Sequence, residues 1–400
     1  MKQIYLDNGA TTPLCDAAKA KIVDAMETFG NPSSLHPAGQ AARKLVDDAR
    51  REVAATLGVR GPVRPEQLIF TSCGSEADNL AIFGTAYAKE RRRGGRIITT
   101  DSEHSGVEKA MQALEADGFE IIRIPTRGGE LDWNAYQNAL NARTFLVSIM
   151  MTNNETGAMY DLKRAFALAK AQNPDIVTHT DAVQGYLKCR FTPEAIKADL
   201  VTVSGHKIHA PKGVGALYVR RGILLQNLIE GGAQERGKRA GTENIPGIMG
   251  LAAALKDACE NMDKNAEKVT AMRDKLIAGL SQIPHCALNG DPVNRLPGNV
   301  SFCFEGIEGE SLLLYLDAMG VAASSGSACT SGSLDPSHVL LAIGRVHDVA
   351  HGSLRLSLCH YNTEQEIEHI LQCVPKVVQS LRNMSPVWRD LQTGKREYIL

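Results

Sequence analysis

Residues 175–221 read DIVTHTDAVQGYLKCRFTPEAIKADLVTVSGHKIHAPKGVGALYVRR, and this stretch decides the fold class. It contains three apolar, β-branched runs, IVTHT, LVTVS and ALYV, which are typical of buried strands. Amphipathic segments of helical character separate most runs of this kind along the chain. Strands that alternate with helices favour a doubly wound sheet whose strands are mostly parallel.

The same alternation extends over residues 15–260. Four further runs with strand character lie upstream, namely QLIFT, RIITT, FEIIRIP and TFLVSIMM. We therefore predict an α/β fold whose large domain spans residues 15–260. In such sheets ligands bind beyond the carboxyl ends of the strands, so the functional residues are sought there.

After residue 260 the pattern changes to that of a second unit. A long charged helix is predicted over residues 261–281, followed by the strands GNVSFCF and GSLRLSL and the helices ESLLLYLDAMG and TEQEIEHILQCVPKVVQSL. We predict a smaller α+β domain made from residues 1–14 and 261–400. The polar stretch WRDLQTGKREYIL at its end predicts a mobile tail.

Composition excludes several classes of function. The 400 residues contain 44 Lys plus Arg against 45 Asp plus Glu, a balance that argues against nucleic-acid or anionic-lipid partners. The start MKQIYLDNGATTP has no apolar leader, and no run approaches the roughly 18 apolar residues of a membrane span. Nine cysteines without a CxxC pair do not indicate a disulfide framework. We expect a cytoplasmic protein.

Lys207 and Asp181 each follow a predicted strand, and together they resemble a pyridoxal-phosphate (PLP) site. The pyridine ring of PLP is an electron sink only while its nitrogen stays protonated, which a fixed carboxylate ensures, whereas a lysine amine holds the cofactor's aldehyde. Gln184 and Asn154 could contact the ring oxygen. Taken alone, a lysine or an amide at such positions more often only supports its loop.

The segment FTSCGSEADNLAI supplies a strand, a turn with Gly74 and Ser75, and a helix. Backbone N–H groups at a helix start bind anions, so this turn suits the cofactor phosphate. Ser204 and His206 would add a hydroxyl and an imidazole. The alternative is an ordinary helix start capped by Ser75.

His104 in TTDSEHSGV follows another strand and could carry protons beside a ring, although a lone histidine is more often inert. His206 and His209 are not accompanied by a carboxylate or thiol cluster, so no metal site is predicted.

Cys329 lies in GVAASSGSACTSGSLDPS, whose composition predicts a loop over about residues 322–335. From Ser324 an extended chain would let its thiol reach at most about 17 Å. A free thiol with a pKa of about 8.5 is only a few per cent thiolate at neutral pH, so local activation is expected.

The chain resembles the NifS/IscS-type cysteine desulfurases, PLP enzymes of aminotransferase class V with fold type I. The resemblance covers nearly the whole chain and rests on these segments, in the family's order: YLDNGATTP, FGNPSSLH, TSCGSEADN, SEH, NNETG, HTDAVQ, SGHKIHAPKG, GGAQERGKRAGTEN, SSGSACTSGS and LRLSL. It implies the PLP-dependent conversion of L-cysteine to L-alanine.

The resemblance also implies a role for each site residue. Three catalytic residues are implied: Lys207 as the lysine that holds the cofactor, His104 as the stacking acid/base, and Cys329 as the persulfide carrier. The implied cofactor contacts are Lys207, Asp181, Gln184, Asn154, Gly74, Ser75, Ser204, His206 and, across a homodimer, Thr242. The implied substrate-carboxylate contacts are Arg355 and Asn31; a surface strand arginine is the alternative for Arg355.

A long SSGSACTSGS loop implies direct sulfur delivery to an iron-sulfur scaffold protein, and the stretch NMSPVW resembles the nitrogen-fixation branch. Two other functions stay open. A PLP-dependent lyase or aminotransferase would not need Cys329 and would release ammonia or a keto acid. A non-catalytic scaffold would not need Lys207, Asp181 and Cys329 together.

Overall fold

The structure is a computed structural model that describes residues 3–59, 62–88, 95–326 and 335–400. In chain order its strands and helices are β1 (Ile4–Tyr5), α1 (Asp16–Met26), α2 (Pro37–Thr56), β2 (Leu68–Thr71), α3 (Gly74–Ala86), β3 (Arg96–Thr100), α4 (Ser105–Ala116), β4 (Glu120–Ile124), α5 (Trp133–Ala139), β5 (Thr144–Ser148), α6 (Leu162–Gln172), β6 (Val177–Asp181), α7 (Pro193–Ile196), β7 (Leu200–Ser204), β8 (Gly215–Val219), α8 (Ile245–Glu260), α9 (Met262–Leu280), β9 (Cys286–Leu288), β10 (Asn299–Phe304), α10 (Gly309–Ala318), β11 (Val321–Ala322), α11 (His338–Ala342), α12 (His347–His351), β12 (Ser353–Ser357), α13 (Glu364–Met384) and α14 (Pro386–Gln392).

A seven-stranded sheet with the order β2-β8-β7-β6-β5-β3-β4 forms the larger part of the molecule. The last five strands of that order run parallel, whereas β8 is antiparallel to both of its neighbours. All seven strands predicted between residues 67 and 221 belong to this sheet. The predicted α/β fold with a mostly parallel sheet is therefore confirmed.

Helices cover both faces of this sheet, because successive side chains of a buried strand point to opposite sides. In β7, Leu200 packs into the hydrophobic cluster that contains α3 and α4 residues, whereas Val201 packs into the cluster that contains α1, α2, α6 and α8 residues. Every residue of β6 and β7 is buried. The continuous apolar runs in the sequence reflect this burial on two sides.

A second, antiparallel sheet with the order β12-β10-β9 lies against α9, α10 and α13. Its hydrophobic cluster contains Leu6 and residues between 269 and 381. Strand β1 pairs with β11, which brings the N-terminal residues to this part of the molecule. The clustering supports the domain limits at residues 14/15 and 260/261, which stay a prediction.

The C-terminal segment contacts this second unit, whereas the mobility expected from its composition stays a prediction. Trp388 and Leu391 are buried, and the backbone N–H groups of Ile399 and Leu400 donate to the Glu305 carboxylate at 2.8 and 3.1 Å. The polar side chains of the segment face outward, which is why composition alone suggested mobility.

Four parallel strands, β3, β5, β6 and β7, end at the same edge of the large sheet. The segments that follow them meet there. Among the described ranges, no helix is both long and apolar enough to cross a membrane.

Candidate active site

A cleft of about 340 Å³ opens at this edge of the sheet. Ten residues predicted from sequence line it, drawn from six separate segments of the chain: Gly74, Ser75, His104, Asn154, Asp181, Gln184, Ser204, His206, Lys207 and Arg355. Nine of them meet because they end or follow strands of the large sheet that end at one edge, whereas Arg355 comes from β12 of the second sheet.

Asp181 ends β6, and Lys207 lies in a short 3₁₀ turn directly after β7. The Asp181 carboxylate is buried and accepts a hydrogen bond from the Val183 N–H at 2.8 Å. Burial raises the pKa of Asp181, while nearby His104 and Lys207 oppose that rise. A cation such as a protonated pyridine ring beside Asp181 would offset the cost of burying its negative charge.

The Lys207 ammonium donates to the backbone carbonyls of Gly9 and Ala10, each at 2.7 Å. The Gln184 amide nitrogen donates to the same Gly9 carbonyl at 2.9 Å, and its oxygen accepts from Lys188 at 3.2 Å. The N-terminal segment thus completes one wall of the cleft and orients both predicted cofactor contacts.

His104 caps the N-terminus of α4, where its Nδ1 accepts from the Gly106 N–H at 3.1 Å. Because Nδ1 is the acceptor, the neutral ring carries its proton on Nε2. A ring nitrogen of His104 and one carboxylate oxygen each of Asp181 and Asp78 lie within 4.8 Å of one another. His104 is therefore placed beside the acidic end of the cleft.

The opposite end of the cleft has the features of an anion site. Helix α3 begins at Gly74, where an added Cβ would come within 2.9 Å of the Val183 side chain. The Ser204 hydroxyl is buried without a hydrogen-bond partner. Burial lowers the pKa of His206 to about 4, so its neutral ring could donate a hydrogen bond.

The helix cap at this turn is Cys73, whose Sγ accepts from the Glu76 N–H at 3.4 Å. The alternative of a start capped by Ser75 is thereby wrong, and the Ser75 side chain is exposed at the cleft. A hydroxyl that the helix does not use remains available to a phosphate.

Arg355 lies on β12 and is only 2% exposed, so the alternative of a surface arginine is wrong. Its Nη2 pairs with Asp7 at 3.0 Å and its Nη1 donates to the Asn154 carbonyl at 3.2 Å, whereas its Nε is buried without a partner. A buried guanidinium at a cleft suits the carboxylate of an amino acid.

Three predicted residues are not among those that line the cleft. Asn31 is exposed, and its Oδ1 accepts from the Ser33 N–H at 2.9 Å. Thr242 is exposed in the segment before α8. Cys329 lies outside the described residues.

Three buried acids at or near the cleft, Asp78, Glu103 and Glu155, were missed from the sequence. Burial raises the pKa of Glu103 to about 8 and that of Glu155 to about 7. Glu103 accepts from Thr100 and from the Met150 N–H. Glu103 and Glu155 are the sequence neighbours of the predicted site residues His104 and Asn154, which could have drawn attention to them. Burial, however, cannot be read from residue type alone.

Comparison with known proteins gives the family. A model described as aminotransferase class-V matches residues 4–370. A cysteine desulfurase IscS of Clostridium botulinum strain Hall is 46% identical over 405 residues, covering 99% of both chains. A solved NifS-like protein has a TM-score of 0.88 at 35% identity, covering 95% of this chain and 100% of its own. A structure described as SspA in complex with cysteine has a TM-score of 0.78 at 31% identity, covering 90% and 100%.

The chain belongs to the aminotransferase class-V family, whose enzymes depend on PLP. The residues present fit that cofactor, since the cleft offers a buried carboxylate at one end and, at the other, a helix start with the unpartnered Ser204 hydroxyl. Within the family it is a member of the cysteine desulfurases. The family expected from the motifs is thus confirmed.

Proposed function

We propose that this protein takes sulfur from L-cysteine, releases L-alanine and carries the sulfur as a persulfide on Cys329. The observation that carries the proposal is the single cleft that joins Asp181, Lys207 and His104 to the buried Arg355. The structural relative described with bound cysteine supports this substrate.

Arg355 would bind the substrate carboxylate. Its guanidinium lines the cleft and is already oriented by Asp7 and the Asn154 carbonyl, so binding a ligand there would cost little further side-chain freedom. This contact would fix the Cα of the amino acid near Lys207. Asn31 is a second proposed contact to the same carboxylate.

When bound, PLP supplies an electron sink for negative charge on the substrate carbons. Asp181 would hold a proton at the ring nitrogen, and Lys207 would accept the Cα proton on Nζ once the substrate has replaced it. His104 would move protons through Nε2. We propose phosphate contacts from Gly74, Ser75, Ser204 and His206, and ring-oxygen contacts from Gln184 and Asn154.

The transfer of sulfur to Cys329 needs no added oxidant. The Cys329 thiolate attacks the substrate sulfur, so an S–S bond forms while the substrate Cβ–S bond breaks. The electron pair of that bond stays on carbon, which takes up a proton and becomes the methyl group of alanine. Carbon is reduced as sulfur is oxidised to the persulfide level.

The partners belong to the same proposal. We infer an iron-sulfur scaffold protein as sulfur acceptor, in general or nitrogen-fixation cluster assembly, and a cytoplasmic homodimer in which Thr242 reaches the phosphate of the other subunit. The exposure of Thr242 supports a contact outside its own cleft.

The test is the visible spectrum of the purified protein before and after L-cysteine with a reductant, together with assays of alanine and sulfide and mass spectrometry of Cys329. We expect a yellow protein, equal alanine and sulfide, and a sulfur adduct on Cys329. Cys329→Ser should keep the colour and lose the adduct, whereas Lys207→Ala should lose the absorbance of the attached cofactor. Pyruvate or another keto acid as the product would instead identify a lyase or aminotransferase.

A further inference from the structure

A second buried carboxyl group, Asp78, lies in the wall of the cleft beside Asp181. It is carried by α3 and is only 1% exposed. One of its carboxylate oxygens lies within 4.8 Å of a carboxylate oxygen of Asp181 and of a ring nitrogen of His104. Its Oδ1 is buried without a hydrogen-bond partner.

No cation directly neutralises Asp78 among the described residues that surround it. The His179 Nε2 is 3.6 Å from Oδ1, beyond hydrogen-bond distance, and burial lowers the pKa of this histidine to about 3. The neutral His179 ring instead bonds Ser148 at 2.8 Å and Thr202 at 3.1 Å. It therefore brings no positive charge to Asp78.

Most of the other groups that face Asp78 favour its neutral form as well. Burial, followed by the charge of Asp181, raises the pKa of Asp78 well above its ordinary value, and Glu103 and Cys73 add to the rise. The hydroxyl of Thr202 opposes it only in part. Two buried carboxyl groups this close cannot both ionise easily, so a pair of this kind holds one proton between them.

We propose that Asp78 is a positioning residue that keeps this proton and, as a carboxylic acid, donates a hydrogen bond to Asp181. The ionised Asp181 is thereby held toward the ring nitrogen of bound PLP. The inference rests on the proposed function of the cleft. It also accounts for the unpartnered Oδ1, because an ionised carboxyl offers only acceptors, whereas a protonated one offers an O–H donor.

The first test compares Asp78→Asn with Asp78→Ala in the cofactor-loaded protein. Asparagine keeps a neutral donor of the same shape, whereas alanine removes it. We expect Asp78→Asn to leave the pH midpoint of the cofactor's visible absorbance unchanged within about 0.3 units. Asp78→Ala should raise the dissociation constant of PLP about tenfold, the size expected for one hydrogen bond to a charged group.

Two outcomes would overturn the proposal. If Asp78→Asn shifts the absorbance midpoint by clearly more than the stated limit, the negative charge of Asp78 is what matters. If Asp78→Ala retains the midpoint and the PLP affinity of the unaltered protein, Asp78 has no positioning role.

A second test needs no cofactor. An acid whose pKa is raised on folding stabilises the folded state at low pH and loses that contribution as pH rises from the ordinary value near 4 toward the folded one. We therefore expect cofactor-free Asp78→Asn to gain unfolding free energy relative to the unaltered protein between pH 5 and pH 8. Parallel profiles would contradict a protonated Asp78. Because PLP is absent, this result stands even if the proposed reaction is wrong.

Discussion

At the scale of single residues, the active cleft depends on polar side chains whose burial is matched by specific partners. Arg355 illustrates this, since its guanidinium is buried yet bonded to Asp7 and to the Asn154 carbonyl. A buried charge without such partners would destabilise the fold by several kcal/mol. Because Arg355 also lines the cleft, one side chain can serve both stability and substrate binding.

Replacing Arg355 tests this dual role. We expect Arg355→Ala to raise the KM for L-cysteine by a factor that corresponds to about 2 to 4 kcal/mol, with a smaller change in kcat, because the lost contact binds the unreactive carboxylate. Steady-state alanine formation measures both constants. Arg355→Lys keeps the positive charge but not the planar guanidinium, so its KM should lie between those of Arg355→Ala and the unaltered protein. An unchanged KM would remove Arg355 from the substrate site.

At the scale of elements, one histidine joins three neighbouring strands below the cleft. His179 on β6 bonds Ser148 of β5 through Nδ1 and Thr202 of β7 through Nε2. Burial lowers its pKa to about 3, so the ring stays neutral in the folded protein. These side-chain bonds reinforce the backbone ladder just where the strand ends must hold the site.

The hydrogen bonds from His179 to Ser148 and Thr202, called the His179 bridge, predict that acid weakens the folded state. A histidine that is neutral when folded and has a pKa of about 6.5 when unfolded loses its stabilising effect as pH falls below 6.5. We expect the contribution of His179 to the unfolding free energy to fall by about 2 kcal/mol between pH 7 and pH 5.

Denaturant unfolding at several pH values measures the effect. His179→Asn should lower stability at pH 7 yet reduce the slope with pH. His347→Asn, at an exposed position, is the matched control and should keep the original slope. Equal slopes for His179→Asn and the unaltered protein would contradict the bridge's role.

At the scale of the whole molecule, the two chain ends complete the smaller unit. Residues before 15 pair with β11 and supply the Gly9 and Ala10 carbonyls to Lys207. The last residues close on Glu305, which is buried and accepts both terminal N–H groups. Distant parts of the chain thus hold the side of the molecule that carries Arg355.

Removing residues 393–400 tests the C-terminal closure. The Glu305 carboxylate would lose two backbone donors, so we expect a loss of about 1 to 3 kcal/mol in unfolding free energy. Thermal unfolding measures it. Glu305→Ala should cost less in the truncated protein than in the full chain, because the contact is already gone. Equal costs in both backgrounds would show that the tail does not act through Glu305.

The sequence by itself determined the α/β class, the seven strands of the main sheet and ten residues of the cleft, because buried strands and strand-end motifs are local patterns of residue type. Only the tertiary structure decided that Asp78, Glu103 and Glu155 are buried near the cleft, that Cys73 caps α3, and that the polar C-terminal segment is packed. Burial and partnership depend on which distant segments meet, and the chain fixes those meetings through packing and hydrogen bonds between residues far apart in sequence. The same acid is a solvated charge on a surface and a proton donor in a closed cleft.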